Sequence, residues 1–136
     1  MKFVDTNIFL RYLTGDDERK AQACFNLFQR VKVGQEKITT CQAVMTEIVY
    51  VLSSRQLYNL SPADIATRLR PIILLKGFYL PNKRMYLRAL DIYANYSKLD
   101  FEDALIAAYL EKEKYHGLYS YDRGFDELSQ VKRVEP

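Results

Sequence analysis

The chain has a single histidine, His116, and only two cysteines, Cys24 and Cys41, among 136 residues. Two cysteines without a CxxC spacing are too few for a disulfide framework, so both are expected to be reduced core residues, and a cytosolic location follows from that reading. One histidine beside a glycine turn, with no clustered thiols, argues against a zinc or copper site and places His116 at the surface. No apolar run approaches the roughly 20 residues that span a bilayer. The opening Met1-Lys2-Phe3-Val4 meets an acid at once, leaving no room for a signal peptide, so no membrane partner is expected. The excess of one charge over the other is small too, with a formal net charge of +3. That balance alone does not call for a polyanion, although 27% charged residues and eleven tyrosines would tolerate one against part of the surface.

What the chain does have is apolar content, 49% of its residues, enough for a single domain over residues 1–136 with a core of its own. Lys2-Phe3-Val4 reads as a short strand feeding a helix through Asp5-Thr6-Asn7. Helical spacing over Asp17 to Val33 is followed by a strand at Lys37-Ile38-Thr39-Thr40 and a helix from about Gln42 to Arg55. Ser61-Pro62-Ala63-Asp64 supplies an N-cap, a first-turn proline and an acid, opening a helix that Pro71 should end or kink. Gly77 to Pro81 reads as a third strand and Lys83 to Lys98 as a helix. Asp100 to Glu113 reads as a helix apolar almost all round, hence central and buried. Leu118 to Tyr121 and Val131 to Val134 complete five strands. Strands alternating with helices imply an α/β fold with a parallel sheet covered on both faces.

In such sheets sites form outside the carboxyl ends of the strands, so acids that directly follow strands come first. Asp5 and Asp122 qualify, although Asp5 also suits a helix N-cap and Asp122-Arg123-Gly124 an ordinary turn. Glu47 cannot be a cap because it lies mid-helix. At ~100° per residue it borders the arc of Val44, Ile48, Val51 and Leu52, which points it towards the interior edge unless its stem packs while its carboxylate reaches water. Asp103 shares a face with Ala107 and Leu110, where small alanines allow close helix–sheet packing. Asp100, Glu102 and Asp103 are equally explained as a cap and first-turn acids that complement the helix dipole, so Asp100 rivals Asp103.

Strand-Asp5-Thr6-Asn7, the Thr46-Glu47 helix, Asp103-Ala104-Leu105-Ile106-Ala107-Ala108 and Ser120-Tyr121-Asp122-Arg123-Gly124-Phe125 together resemble the four acidic motifs of PIN domains. The VapC-like ribonuclease toxins are the most similar group. The resemblance runs in order along the whole chain. It implies a three-layer α/β/α sandwich around a five-stranded parallel sheet with the acids at its carboxyl edge. By the same resemblance Asp5, Glu47 and Asp103 are the acids central to metal binding, Asp122 is the more variable fourth, and Asn7 and Ser120 support them by hydrogen bonding. Asp126 is a possible substitute for Asp122. An antitoxin protein as inhibitor and a homodimer are also implied.

The residue types agree with that chemistry on their own terms. Oxygen-only ligands suit Mg2+ or Mn2+, and one or two such ions activate a water and stabilise the leaving oxygen of a phosphodiester. The expectation is hydrolysis of RNA, with Asp103 or Asp122 as general base. Arg11, Arg55, Lys83, Arg84 and Arg123 are candidates for phosphate contacts, and tyrosines for stacking on unpaired bases. The apolar segment Leu57 to Leu80 suits core packing and also a groove for a partner helix. Two other classes stand beside this reading. A phosphoryl-accepting receiver domain wants an acidic pair after the first strand, where this chain has Asp5-Thr6-Asn7. A PIN-fold module that binds RNA or protein without turnover would keep the same acids.

Overall fold

A computed structural model describes residues 1–136. Strand β1 (Lys2–Phe3) stops at Asp5, and helix α1 (Thr6–Thr14) begins immediately after it. Gly15, at φ 69°, closes α1 in the left-handed conformation that a glycine adopts without steric cost. Asp17 caps α2 (Glu18–Val33) by accepting the Lys20 N–H at 3.0 Å. Then come β2 (Ile38–Thr39), α3 (Gln42–Ser53) and α4 (Pro62–Ile73), the last capped by Ser61. Contacts within the chain define two compact units, Met1–Lys83 and Arg84–Pro136.

In the first unit β1 and β2 run parallel, Lys2 opposite Ile38 and Phe3 opposite Thr39. The third expected strand contributes one position, a parallel bridge from Phe78 to Ile38. It goes no further because the Gly77 N–H is spent on Val31 O at 2.9 Å, the Phe78 N–H turns back to Leu75 O, and Pro81 has no N–H. Helices α1 and α2 meet through aromatic rings: Phe9 lies 5.5 Å from Phe28 and 5.8 Å from Phe78, centroid to centroid, and Tyr12 lies 4.5 Å from Phe28. Phe9, Phe28 and Phe78 are all essentially inaccessible, each worth roughly 2–3 kcal/mol of burial. Helix α4 carries Pro71 without ending there and runs on to Ile73. Pro71 and Thr67, whose carbonyl loses its usual helical partner, are both exposed residues.

The second unit holds α5 (Lys83–Asn95, its first residue at the boundary), α6 (Phe101–Glu113), β3 (Leu118–Tyr119), a short 3-10 turn (Arg123–Glu127) and β4 (Arg133–Val134). Strands β3 and β4 pair in parallel, Leu118 opposite Arg133 and Tyr119 opposite Val134. Arg88 of α5 holds Glu111 of α6 through two bonds of 2.8 and 2.9 Å, and Tyr93 meets Phe101 edge to face. All strand pairing in the protein is therefore parallel and short, which makes the fold α/β and rich in helix.

Two expectations are corrected. Helix α6 is not buried all round: Ala104, Ala107 and Ala108 form its packed face, whereas Ile106 (43%) and Tyr109 (45%) are exposed. Phe101 and Leu105 are buried on the same side as these alanines, whose small side chains let the backbone approach its neighbours, while Ile106 and Tyr109 fall on the opposite side. Cys24 is buried as expected, but Cys41 is exposed, because it occupies the extended N-cap position of α3 rather than a strand interior.

Candidate functional site

Asp5 sits at the carboxyl end of β1 in the N-cap position of α1, with extended backbone (φ −86°, ψ 162°). Its carboxylate does not cap. The Ile8 N–H, which a capping side chain would normally take, bonds instead to the Asp5 carbonyl at 3.2 Å. The next residue, Thr6, is only 5% exposed and donates its hydroxyl to Glu47 Oε2 at 2.6 Å. Thr40, at the end of β2, donates to the Val4 carbonyl at 2.8 Å. These two hydroxyls fix the start of α1 to α3 and to the strand pair, so Asp5 and Glu47 are held at the same strand ends. Glu47 itself is exposed rather than turned to the interior, and it is Thr6 that carries the buried polar group. Thr6 was hidden from sequence reasoning because its partner lies far along the chain. Asn7 makes no side-chain hydrogen bond and faces a cleft with Ile8, Arg11, Lys20, Ala23 and Cys24.

The second unit gathers a separate set of acids. Asp100 caps α6 by accepting the Asp103 N–H at 2.8 Å, and Asp103 returns Oδ2 to the Asp100 N–H at 3.3 Å. Both acids are thus used structurally, yet Asp103 is the strained one. Partial burial, then the charge of Asp100, and further the charge of Asp122, push its carboxyl up to about 6. Asp122 accepts the Gly124 N–H at 2.8 Å through Oδ1, and its own N–H bonds to Ser120 Oγ at 3.0 Å. Ser120 therefore supports this acid through the backbone. A Cβ on Gly124 would lie 3.0 Å from Asp122 Oδ1 and 3.1 Å from the Lys98 carbonyl, which accounts for glycine in the Asp122-Arg123-Gly124 turn. Asp126, the alternative to Asp122, is engaged by Arg133. Its two oxygens hold Arg133 at 2.9 and 3.2 Å, and that guanidinium keeps its carboxyl below the usual carboxylate range.

Among the candidate cations, Lys83 is also withdrawn: its ammonium donates to the Phe78 carbonyl at 2.6 Å over the Phe78 ring, and burial lowers its pKa. Arg55, Arg84 and Arg123 are exposed, as is His116. The segment Leu57 to Leu80 supplies mainly core, with Leu69, Ile73 and Phe78 buried, while Leu57 and Leu74 remain exposed.

Neither unit on its own brings three or more His, Cys, Asp or Glu side chains together as a metal-holding group. The donor chemistry nevertheless fits a hard divalent cation. Asp5 has an uncommitted carboxylate, Glu47 keeps one oxygen free of Thr6, and Asp103 is crowded by two like charges that a cation would relieve.

Parallel strands with acids at their carboxyl ends define an α/β chain of the kind that builds its chemistry at strand termini. The PIN domain family model matches residues 2–131, and the chain belongs to the PIN domain family. Members of that family are generally nucleases that use divalent metal ions, and the match runs through every acid discussed above. Comparison with curated proteins gives no match.

Proposed function

We propose that this chain, as a single PIN domain over residues 1–136, is a Mg2+- or Mn2+-dependent endoribonuclease, the toxin of a VapC-like toxin–antitoxin pair. The observation that carries the reading is Asp5. A carboxylate at a helix N-cap that makes no cap bond forgoes about 1 kcal/mol of helix stability, which suits an acid kept for another ligand. In this reading the five β segments form one parallel sheet within a three-layer sandwich, and Asp5, Glu47, Asp103 and Asp122 serve one metal centre. Asn7 and Ser120 support it, Ser120 by holding the Asp122 turn.

Each acid then has a distinct task. Asp5 and Glu47 bind as carboxylates, Glu47 oriented by the Thr6 hydroxyl. Asp103 or Asp122 acts as general base, Asp103 being the acid whose carboxyl, in the absence of metal, partial burial and the charges of Asp100 and Asp122 push up to about 6. Asp122 keeps the field around Asp103 negative. A bound divalent cation supplies activation of the attacking water and charge neutralisation at the phosphodiester. No protein nucleophile is required. An antitoxin that blocks the site and a homodimer complete the proposal, and light scattering at micromolar concentration tests the dimer.

Incubation with a mixed RNA pool tests the whole. Cleavage should require Mg2+ or Mn2+, stop in excess chelator and be lost in Asp5→Asn. Cleavage undiminished by chelator or by that substitution would refute the mechanism, and RNA binding without any cleavage would assign the chain to a non-catalytic PIN module.

A further inference from the structure

The cleft between α1 and α2, about 370 Å3 in volume, has an unusual lining: two cations and no acid. Arg11 enters from α1, one turn beyond Asn7, and Lys20 enters from the facing helix, one turn before Cys24. Neither Arg11 nor Lys20 has an ion pair or a side-chain hydrogen bond within the protein. The nearest acids in the sequence hold other partners, although Asp16, whose pKa is lowered first by the hydroxyls of Thr14 and Tyr58, also feels the Arg11 charge, which helps lower it. Asp16 accepts the hydroxyls of Thr14 and Tyr58, and Asp17 accepts the Lys20 backbone N–H at 3.0 Å. Cys24 beneath them is buried, and burial raises its thiol pKa, so no thiolate neutralises the pair from below.

Surface lysines and arginines are ordinarily solvated and need no ligand. Here two of them line one cavity of ligand size with no acid in its wall. A guanidinium and an ammonium so placed match the oxygens of a phosphodiester, the guanidinium offering a two-pronged contact and the ammonium a point charge. The cleft is also tied to the candidate site by one rigid helix, for Asn7 lines it and Asp5 begins that helix. From Asp5 to Arg11 the rise is roughly 9 Å along the axis at 1.5 Å per residue. That is too far for the phosphate being cleaved and near enough for a neighbouring one.

We propose that the α1–α2 cleft is a phosphate subsite in which Arg11 and Lys20 grip a backbone phosphate of single-stranded RNA beside the scissile position. The inference rests on the ribonuclease reading and adds to it a positioning contact independent of base identity. Because phosphates carry no sequence information, the subsite sets register and affinity rather than cleavage sequence.

The test is equilibrium binding of a labelled single-stranded RNA oligonucleotide in excess chelator, across a salt series, to the full chain and to the Arg11→Gln/Lys20→Gln variant. Both side chains leave the core untouched, and a thermal melt checks that the variant is folded. Loss of the contact should weaken binding about tenfold or more at low salt, equally for unrelated sequences. It should also flatten the plot of log affinity against log salt by about 0.7 to 1. Arg11→Lys with Lys20 intact should keep most of that slope. An unchanged affinity and slope in a folded double variant, or no RNA binding by the parent chain, overturns the proposal. Inorganic phosphate or a mononucleotide that binds as tightly as the oligonucleotide overturns the backbone assignment. Since turnover is absent in chelator, the two readings fail separately: RNA binding that depends on Arg11 without Mg2+-dependent cleavage sinks the nuclease alone, and cleavage with an unaltered salt slope sinks the subsite alone.

Discussion

The buried hydroxyl of Thr6 donates to Glu47 Oε2 at 2.6 Å, joining the first residue of α1 to the middle of α3. This bond sets the direction of a carboxylate that is otherwise exposed on a helix. Thr6→Val, nearly isosteric, should cost about 1 kcal/mol of unfolding free energy, since Glu47 can turn to water. RNA cleavage should fall with it, and Thr6→Ser should restore much of both. Glu47→Gln should keep the stability, because the amide oxygen still accepts the bond, yet lose cleavage. Urea unfolding beside a cleavage assay reads both quantities, and a Thr6→Val protein with full turnover would show that the anchor does not serve the site.

Asp103 gives a pH dependence whose sign is opposite to that of an ordinary paired carboxylate. Its folded pKa, about 6, lies above the ordinary value of 3.8, so the native state favours the protonated acid. The stability this contributes is complete below about pH 4 and is lost as pH rises through about 6. Asp103→Asn should therefore stabilise the metal-free protein at pH 7 to 8 relative to wild type, by an amount on the order of 1 kcal/mol after solvent screening. The difference should shrink or vanish near pH 4. The asparagine oxygen can still accept the Asp100 N–H, so the capping box need not be lost. Thermal melts in chelator across that range check it, and an Asn variant less stable at pH 8 would contradict the crowding of like charges.

Local chemistry was the legible part of this chain. Ser61 and Asp100 announce helix starts because a capping side chain and its N–H lie within one turn. The acids Asp5 and Asp122 were visible because each follows a strand. Non-local partners were not visible. Nothing near Thr6 in sequence points to Glu47, and nothing near Asp126 separates it from Asp122 until Arg133 is seen holding it. Helix α6 misled for a related reason, since composition counts its apolar residues but not which of them, alanine or isoleucine, faces the core.

Asp126 and Asp122 should separate cleanly by substitution. Arg133 binds both Asp126 oxygens and also donates to the Ser120 carbonyl at 2.8 Å, so the pair braces the end of β3. Asp126→Asn should lower stability slightly, and less at high salt, for an ion pair whose acid is half exposed. Asp122→Asn should leave the turn intact, because its amide oxygen still accepts the Gly124 N–H, while reducing Mg2+-dependent cleavage. Parallel measurement of urea midpoints and cleavage rates decides the matter. Loss of cleavage in Asp126→Asn with retention in Asp122→Asn would reverse the assignment of the fourth acid.

Gly77 is the backbone position on which the β2 register depends. Its N–H bonds to Val31 O at 2.9 Å and its carbonyl accepts the Ile38 N–H at 2.8 Å, so it lies pressed between the end of α2 and β2. A Cβ there would come within 2.8 Å of the Val31 carbonyl and closer still to that of Glu36, and neither backbone group can swing aside as a side chain would. Gly77→Ala should therefore cost about 1–3 kcal/mol or more through overpacking. Gly15→Ala offers the comparison: the space around it is open, and only its φ of 69° opposes a side chain, at about 1 kcal/mol. Urea unfolding should rank Gly77→Ala as the more damaging change. Displacement of Gly77 would also disturb Ile38 and, through β2, the Thr40 bond to Val4 that precedes Asp5. Cleavage by the folded Gly77→Ala protein should accordingly fall as well. A Gly77→Ala midpoint equal to wild type would show that the α2 terminus yields, and that β2 is positioned from its β1 side alone.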